Sequence, residues 1–193
     1  MSSLKERIEW LERELPPNPP RFKIHEDLPF AILRYDPTEE WDVRREIRLL
    51  ATRLEAKGRP VTVISLAVLL WKAIDENEGI EAVSALERER GFEVAQEQVN
   101  TYLSDEDFTP LPRLVAERLN ALDPERDLAF LVRAASLAPA VYHISKLLDE
   151  LQGRTRVPTV LFYPGEPVGT NSLRFMGLTS LHSPPSYRVK IYG

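Results

Sequence analysis

Cysteine is missing from this chain of 193 residues. Its absence excludes a disulfide framework and any metal site built on thiolates, and it fits a reducing compartment. Long apolar stretches are missing as well: none approaches the roughly 20 residues that span a bilayer, and none follows a basic start as in a secretory signal. We therefore expect a cytoplasmic protein that does not enter a membrane.

Histidine is scarce, and its spacing argues against metal chemistry. His25, His143 and His182 are far apart in the sequence, and none belongs to a motif such as H-E-x-x-H. Residues 169–172 do not form the G-x-S-x-G elbow of a serine hydrolase either. We expect no metal, no cofactor and no catalytic residues, and therefore a protein that is not an enzyme.

Positive charge is sparse in the middle of the chain. Residues 61–127 carry 6 basic and 15 acidic side chains, a net charge of −9, whereas residues 128–193 carry 7 basic and 3 acidic side chains, a net charge of +4. Affinity for nucleic acid depends largely on Lys and Arg side chains that neutralise phosphates. We therefore expect no direct binding to nucleic acid, and charged protein partners fit this charge pattern better.

Apolar segments of strand length alternate with segments of helical periodicity, which is the pattern of a parallel α/β sheet. We predict a single α/β domain over residues 1–193, with three α/β/α layers and a mostly parallel five-stranded sheet. The predicted strands cover residues 29–35, 61–66, 128–132, 157–163 and 187–192, and the predicted helices include 38–57, a helix after residue 66, and 139–151. In the last strand Arg188 and Lys190 alternate with apolar residues, which is typical of a sheet edge protected by charge.

Three further segments complete the predicted architecture. Residues 1–20 form an N-terminal helix and a proline-rich connector, and the helix places four apolar residues at helical spacing: Leu4, Ile8, Leu11 and Leu15. Residues 77–125 contain three apolar helical stripes and exceed the length of a single crossover helix, so we predict an acidic helical insertion there. A loop and a short helix are predicted around residues 172–178.

The turn after the first strand contains no glycine. It reads Tyr35-Asp36-Pro37-Thr38-Glu39-Glu40, with no lysine to reach a phosphate and with carboxylates where the anion would bind. The third strand ends in Arg133-Ala134-Ala135 rather than in the acidic residues that hold magnesium in nucleotide hydrolases. The pattern resembles a degenerate P-loop or Rossmann-like core that lacks its phosphate-binding loop.

Charged residues follow several of the predicted strands, at the end of the sheet where ligands of open parallel sheets bind. Our candidate ligand- or partner-binding residues there are Arg34, Asp36, Arg133, Glu166 and Arg174. Arginines beside carboxylates can bind an anion or a protein carboxylate. The simpler interpretation, favoured by how often such groups pair, is that they satisfy one another at the strand ends.

A second set of residues suggests a surface for a protein partner. Trp10 lies off the main apolar stripe of the first helix, and Trp41 opens the helix after the first strand. Tryptophan is enriched among interface anchors, although most tryptophans are simply half-buried. Glu87, Glu89 and Glu93 are expected on solvated helix faces within the acidic segment, where they would meet a positively charged partner.

Several segments together resemble the BrxB family, a small subunit of the BREX (bacteriophage exclusion) antiviral systems. The resemblance runs in family order through residues 28–37, 49–55, 61–66, 160–166, 172–178 and 187–189. Its most specific part is F-Y-P-G-E at residues 162–166 followed by S-L-R-F-x-G-L at 172–178. One departure is that Ala134-Ala135 stands where the family leads us to expect a glycine after the third strand.

The resemblance implies an accessory, non-catalytic subunit that works with larger BREX proteins. These include a PglZ-type phosphatase-like protein, the most favoured partner, together with an ATPase and a methyltransferase. Two hypotheses therefore remain: an interaction subunit of an antiphage complex, or a divergent ligand-binding or nuclease domain that uses the charged residues at the strand ends.

Overall fold

The computed structural model of the chain describes residues 2–17, 20–21, 28–139, 141–169, 172–178 and 187–193. His25 and His182 lie outside the described residues, as do two residues of the proline-rich connector. The first helix, α1, spans Leu4–Glu14, and Ser3 caps it: the Ser3 hydroxyl accepts the amide of Glu6, while the Glu6 carboxylate accepts the amide of Ser3. A cap of this kind contributes about 1 kcal/mol.

The sheet contains six strands among the described residues. They are β1 (Phe30–Tyr35), β2 (Val61–Ser65), β3 (Leu128–Val132), β4 (Thr159–Val168), β5 (Ser172–Phe175) and β6 (Lys190–Tyr192). Their order is β2-β3-β4-β1-β6, with every neighbouring pair parallel, and β5 pairs antiparallel with β4. The predicted mostly parallel sheet is confirmed, with one strand more than the five predicted.

Helices cover both faces of the sheet. After α1 they are α2 (Glu40–Ala56), α3 (Leu66–Glu76), α4 (Gly79–Arg90), α5 (Phe92–Ser104), α6 (Leu111–Asn120) and α7 (Ile144–Leu151), with short 3-10 helices at Pro37–Glu39 and Ala134–Leu137. One apolar cluster joins α1 and α2 to alternate residues of the strands, and a second joins α3–α7 to the residues between them. Successive strand residues point to opposite faces, so two clusters mean two covered faces and three layers.

Strand β4 lies at the centre of the sheet, between β3 and β1. Its Phe162 is 1% exposed and meets the ring of Phe130 edge-on, with 5.2 Å between the ring centroids. Both rings belong to the cluster under α1 and α2. This pair therefore anchors the centre of one core, and edge-to-face contacts of this kind add about 0.5–1.5 kcal/mol beyond the area they bury.

The short helix predicted around residues 172–178 was wrong, because residues 172–175 form β5. Glu166 of β4 faces Arg174 of β5, and Leu173 is buried while Arg174 is exposed, which is the alternation of a strand. Gly165 makes the pairing possible, since a Cβ there would overlap the carbonyl oxygen of Arg174 and approach the Tyr163 ring to 2.6 Å. A strand with so close a neighbour needs glycine at this position.

Two predicted boundaries were also wrong. Helix α7 begins at Ile144 rather than at residue 139. The chain first forms the 3-10 helix Ala134–Leu137, and the amide of Val141 then donates a hydrogen bond to the carbonyl oxygen of Leu137 over 3.1 Å. The last strand begins at Lys190 rather than at residue 187, since only residues 190–192 lie opposite β1. Arg188 therefore precedes β6 and is exposed.

Candidate functional site at the carboxyl end of the sheet

The turn after β1 uses its carboxylates to hold its own backbone. Asp36 Oδ1 accepts hydrogen bonds from the amide and the hydroxyl of Thr38, at 2.8 Å and 2.6 Å. The Glu39 carboxylate accepts the amide of Asp36 at 3.1 Å, which completes a capping box. The hydrogen bonds from the side chain and then the backbone of Thr38 lower the pKa of Asp36. Two negative charges thus occupy the position at which a phosphate-binding loop presents amides.

Arg7 joins this turn from α1, and the sequence-based candidates did not include it. Its side chain is buried, with Nη1 donating to the carbonyl oxygen of Arg34 at 2.6 Å and Nη2 donating to Glu39 Oε2 at 3.2 Å. Nε also donates to the Ser3 carbonyl at 3.2 Å. The signal that could have found it is its position three residues after Leu4, on the buried stripe of the helix. Arg7 therefore ties the N-terminal helix to the end of β1.

Arg34 is the most buried of the candidate residues, at 6% exposure. Burial, and then the positive charge of Arg7, lower the pKa of its guanidinium, while Glu39, Asp36 and Glu166 act in the opposite direction. A Cβ on Gly193 would overlap the Cγ of Arg34, so the backbone of Gly193 lies directly on the arginine stem. The structure thus brings Arg34, Asp36 and Glu166 within electrostatic reach of one another.

Glu166 and Arg174 face each other across the hairpin of β4 and β5. Arg174 Nη1 lies 3.8 Å from Glu166 Oε2, and both side chains are about half exposed, at 45% and 53%. An exposed pair at this distance contributes little stability, about 0–1 kcal/mol. The pair follows the segment of β4 that lies opposite Arg34 and Tyr35, so these four candidates are grouped beyond the ends of β1 and β4, while Arg133 follows β3 at the same end of the sheet.

Arg133 differs from the other four candidates. It is exposed, and its guanidinium makes no hydrogen bond or ion pair with any residue that the structure describes. Its backbone has φ 61° and ψ 38°, the left-handed region, whereas Ala134 and Ala135 begin the 3-10 helix. The position that would favour a glycine after the third strand is therefore Arg133 itself rather than the two alanines.

The candidate partner residues lie on separate parts of the surface. Trp41 is 76% exposed and its ring lies 4.6 Å from the Arg44 guanidinium carbon, while Trp10 is 38% exposed on α1. The three glutamates of the set are exposed around the junction of α4 and α5: Glu87, Glu89 and Glu93. Phe92, 57% exposed, lies between them in the chain and was not among the candidates.

A second exposed apolar group was also missed by the sequence analysis. Val63 of β2 is 48% exposed, and Val68 and Trp71 of α3 are 58% and 51% exposed. Val68 and Trp71 fall outside the buried positions of α3, which include Leu69 and Ala73, but in so apolar a run the sequence gives no signal that separates the two sets. These three side chains follow one another closely along the chain.

Among the described residues, the resolved pKa shifts move the carboxylates and the tyrosines away from neutral pH. Every carboxylate with a resolved shift has a lowered pKa: Glu12, Glu14 and Asp36. Each resolved tyrosine pKa is raised, chiefly by burial. No group of three or more His, Cys, Asp or Glu side chains suited to a metal occurs among these residues, and none of their helices is long and apolar enough to cross a membrane.

Comparison with known proteins gives one match. Residues 62–191 match the family described as BREX protein BrxB. No curated protein and no solved structure matches the chain. The matched range contains β3 to β6 and nearly all of β2, whereas α1, β1 and α2 precede it. Two of the segments that resemble the family, 28–37 and 49–55, therefore lie outside the matched range. Since the match covers more than half of the chain, the protein belongs to the BrxB family and is a component of a BREX antiphage system.

Proposed function

We propose that this chain is a non-catalytic interaction subunit of its BREX complex, acts in the cytoplasm, and binds the PglZ-type protein of the same system. The observation that carries the proposal is the pairing at the carboxyl end of the sheet. Asp36 caps its turn, Glu39 bonds to Arg7, and Glu166 faces Arg174. Side chains engaged in this way hold backbone segments together, which leaves them poorly placed to bind or transform a ligand.

The direction of the pKa shifts supports the same proposal. A carboxylic acid that works as a general acid or base near neutral pH needs a raised pKa, because it must gain and lose a proton there. The shifted carboxylates of the described residues have the opposite direction, since hydrogen-bond donors hold them ionised. These groups are suited to structural ion pairs and not to proton transfer.

The exposed aromatic side chains support an interaction role. Trp41, Trp71 and Phe92 are each more than half exposed, on three different helices. Large aromatic side chains are costly to leave in water, and they are the residues that most often anchor protein interfaces. A chain with several such groups at its surface fits a subunit that is covered by partners.

Charge gives the proposal a direct test. The segment 61–127 carries −9, and reversing Glu87, Glu89 and Glu93 to lysine should weaken association with a basic patch on the partner and reduce its salt sensitivity. Arg188 is exposed and tests the positive C-terminal segment when changed to glutamate. Lys190 is left unchanged, because it bonds to Glu14 and its reversal would disturb the fold.

The experiment is deletion of the gene from an otherwise intact BREX cluster, together with affinity purification of the tagged chain. We expect loss of phage resistance and recovery of the PglZ-type protein; recovery of the ATPase or the methyltransferase instead would keep the interaction role and change the partner. Full resistance after deletion, with no cluster protein recovered, would overturn the proposal.

A ligand-binding role is the second candidate, and Arg133 is the observation that favours it. Its left-handed backbone and its guanidinium, which has no partner among the described residues, are features found at functional sites. Thermal unfolding with increasing phosphate or Mg-ATP distinguishes the two candidates. We expect no upward shift in Tm with either ligand, and a concentration-dependent rise that Arg133→Ala abolishes would favour the ligand-binding role.

A further inference from the structure

Strand β2 forms an edge of the sheet that is not protected in the usual way. It pairs with β3 on one side, and no strand of the described part of the chain pairs with its other side. Natural edge strands usually carry charge, proline or a bulge that prevents pairing with another chain. Strand β6 at the opposite edge has Lys190, which lies 2.5 Å from Glu14 Oε2, whereas β2 reads Val-Thr-Val-Ile-Ser and carries no charge.

The backbone of β2 has its free groups on the outer side. The carbonyl oxygen of Pro60 accepts the amide of Leu128 at 2.8 Å and so points toward β3. Backbone groups of successive strand residues point to opposite sides of the strand. The amides and carbonyls of Val61 and Val63 therefore point outward, where an added strand would bond to them.

Exposed apolar side chains occur on β2 itself and on the helix that follows it. Val63 is 48% exposed, and α3 begins at Leu66, immediately after β2 ends. Val68 and Trp71 are exposed on α3 at a spacing of three residues, which places them on one face of the helix. The β2 edge therefore combines free backbone groups with apolar side chains, the two features that recognition by strand addition requires.

Charge decides which occupant fits. Asp75 is exposed one turn beyond Trp71, and among the described residues it forms no ion pair. The segment 61–127 as a whole carries −9, from 6 basic and 15 acidic side chains. A second copy of this chain would place one acidic segment against another, which is unfavourable. A basic segment from a different protein gains both the apolar contact and the attraction of opposite charges.

We propose that the β2 edge binds an extended, basic segment of another protein. The bound segment adds a strand beside β2, places an apolar side chain on Trp71, and places a lysine or arginine near Asp75. The inference rests on the proposed interaction role and deepens it, because it names the surface and the chemistry of the segment bound.

Val63→Pro tests the backbone part of the proposal. The Val63 amide points away from β3, so proline there removes an outward donor and leaves the β2–β3 pairing in place. The probe is the BREX protein recovered with the wild-type chain, and affinity is measured at low and high salt. We expect Val63→Pro to weaken binding about tenfold or more, and Val63→Thr, which keeps the amide and a β-branched side chain, to bind as wild type.

Trp71→Ala and Asp75→Lys test the side-chain part of the proposal. The matched control is Leu49→Ala, because Leu49 is also exposed, at 48%, but belongs to α2, on the other face of the sheet from α3. Trp71→Ala should weaken binding about tenfold, and Asp75→Lys should weaken it most at low salt. Because both positions are exposed, these variants keep the test valid even if Val63→Pro unfolds. Hydrogen exchange adds a direct readout: the amides of Val61 and Val63 should become protected when the partner binds.

The outcomes separate this inference from the proposed function. If the wild-type chain recovers BREX proteins and the Val63, Trp71 and Asp75 variants recover them equally well, the inference fails and the interaction role stands. If the wild-type chain recovers none, both fail. If the chain alone forms a dimer that Val63→Pro dissociates, the occupant is a second copy and the inference fails in its choice of partner.

Discussion

Arg7 Nη1 donates a hydrogen bond to the carbonyl oxygen of Arg34 over 2.6 Å, and thereby joins the first helix to the end of the first strand. The acceptor is a buried backbone group, so the loss of its donor would leave it unsatisfied. The same guanidinium reaches Glu39 at 3.2 Å. One side chain therefore holds α1, β1 and the turn before α2 together.

Arg7→Met should lower the free energy of unfolding by about 2 kcal/mol, because a hydrogen bond from a charged donor to a buried acceptor is worth about 1.5–3 kcal/mol. Urea denaturation measures the change. Arg13→Met, at an exposed position of the same helix, is the control and should stay within about 0.5 kcal/mol of wild type. Equal effects at the two positions would show that the Arg7 contacts contribute nothing.

Phe162→Ala should destabilise the protein by about 3–5 kcal/mol, or prevent folding, because it removes a fully buried ring from the central strand. Total stabilities of natural domains are about 5–15 kcal/mol, so this loss is large. Phe92→Ala is the matched control, since that ring is 57% exposed. An unchanged melting temperature for the Phe162 variant would contradict the assignment of β4 to the core.

Glu14 should make stability depend on pH in the acid range. Burial alone would raise the pKa of Glu14, but hydrogen bonds from Lys190 and Tyr192 outweigh it, and the pKa is lowered from its ordinary value of 4.5. The contacts that lower this pKa stabilise the folded state. Their contribution is complete when the pH is above the ordinary pKa of 4.5, and it is lost as the pH falls through the pKa of the folded state.

Urea denaturation between pH 7 and pH 3 measures this dependence. The variant Glu14→Gln should be less stable than wild type at pH 7, and the difference should shrink as the pH falls below 4.5. Glu9→Gln on the exposed side of α1 provides the control. A difference between Glu14→Gln and wild type that stays constant with pH would mean that the Glu14 contacts are not ionic.

Arg133→Gly should raise the free energy of unfolding by up to about 1 kcal/mol. A left-handed backbone costs a residue with a Cβ about 1–2 kcal/mol, and the gain is partly offset by the greater freedom of glycine in the unfolded chain. Arg133→Ala is the control: it removes the same side chain but keeps the Cβ and hence the strain. If the glycine and alanine variants melt together, the φ of 61° does not strain the chain.

The strands whose apolar residues are bounded by turn signals could be predicted from the sequence. The sequence also indicated that the turn after β1 is not a phosphate-binding loop. It did not predict β5, because four residues of alternation are too few to define a strand and the pairing depends on the approach of Arg174 to Gly165. Arg7 was missed for a different reason. Helical periodicity identifies the buried face of α1, but the carbonyl of Arg34 that makes a buried arginine acceptable there belongs to a distant segment.

The outer surface was the hardest part to predict. Trp10 and Trp41 were identified as candidate partner residues. Trp71 was not, because it lies within an apolar run in which periodicity alone does not separate the buried residues from the exposed ones. Its exposure follows from the packing of α3, whose buried residues, among them Leu69 and Ala73, lie on the other side of the helix.

The position of β1 in the sheet sets the order in which the protein can assemble during synthesis. Among the described residues, the first strand to leave the ribosome pairs with β4 and β6, and the nearer of these begins at Thr159. Contacts between such distant segments form late, because a long loop must close before they contribute. The apolar face of β1 is therefore exposed until most of the chain has been made, and a product that stops before β4 should be prone to aggregate or be degraded.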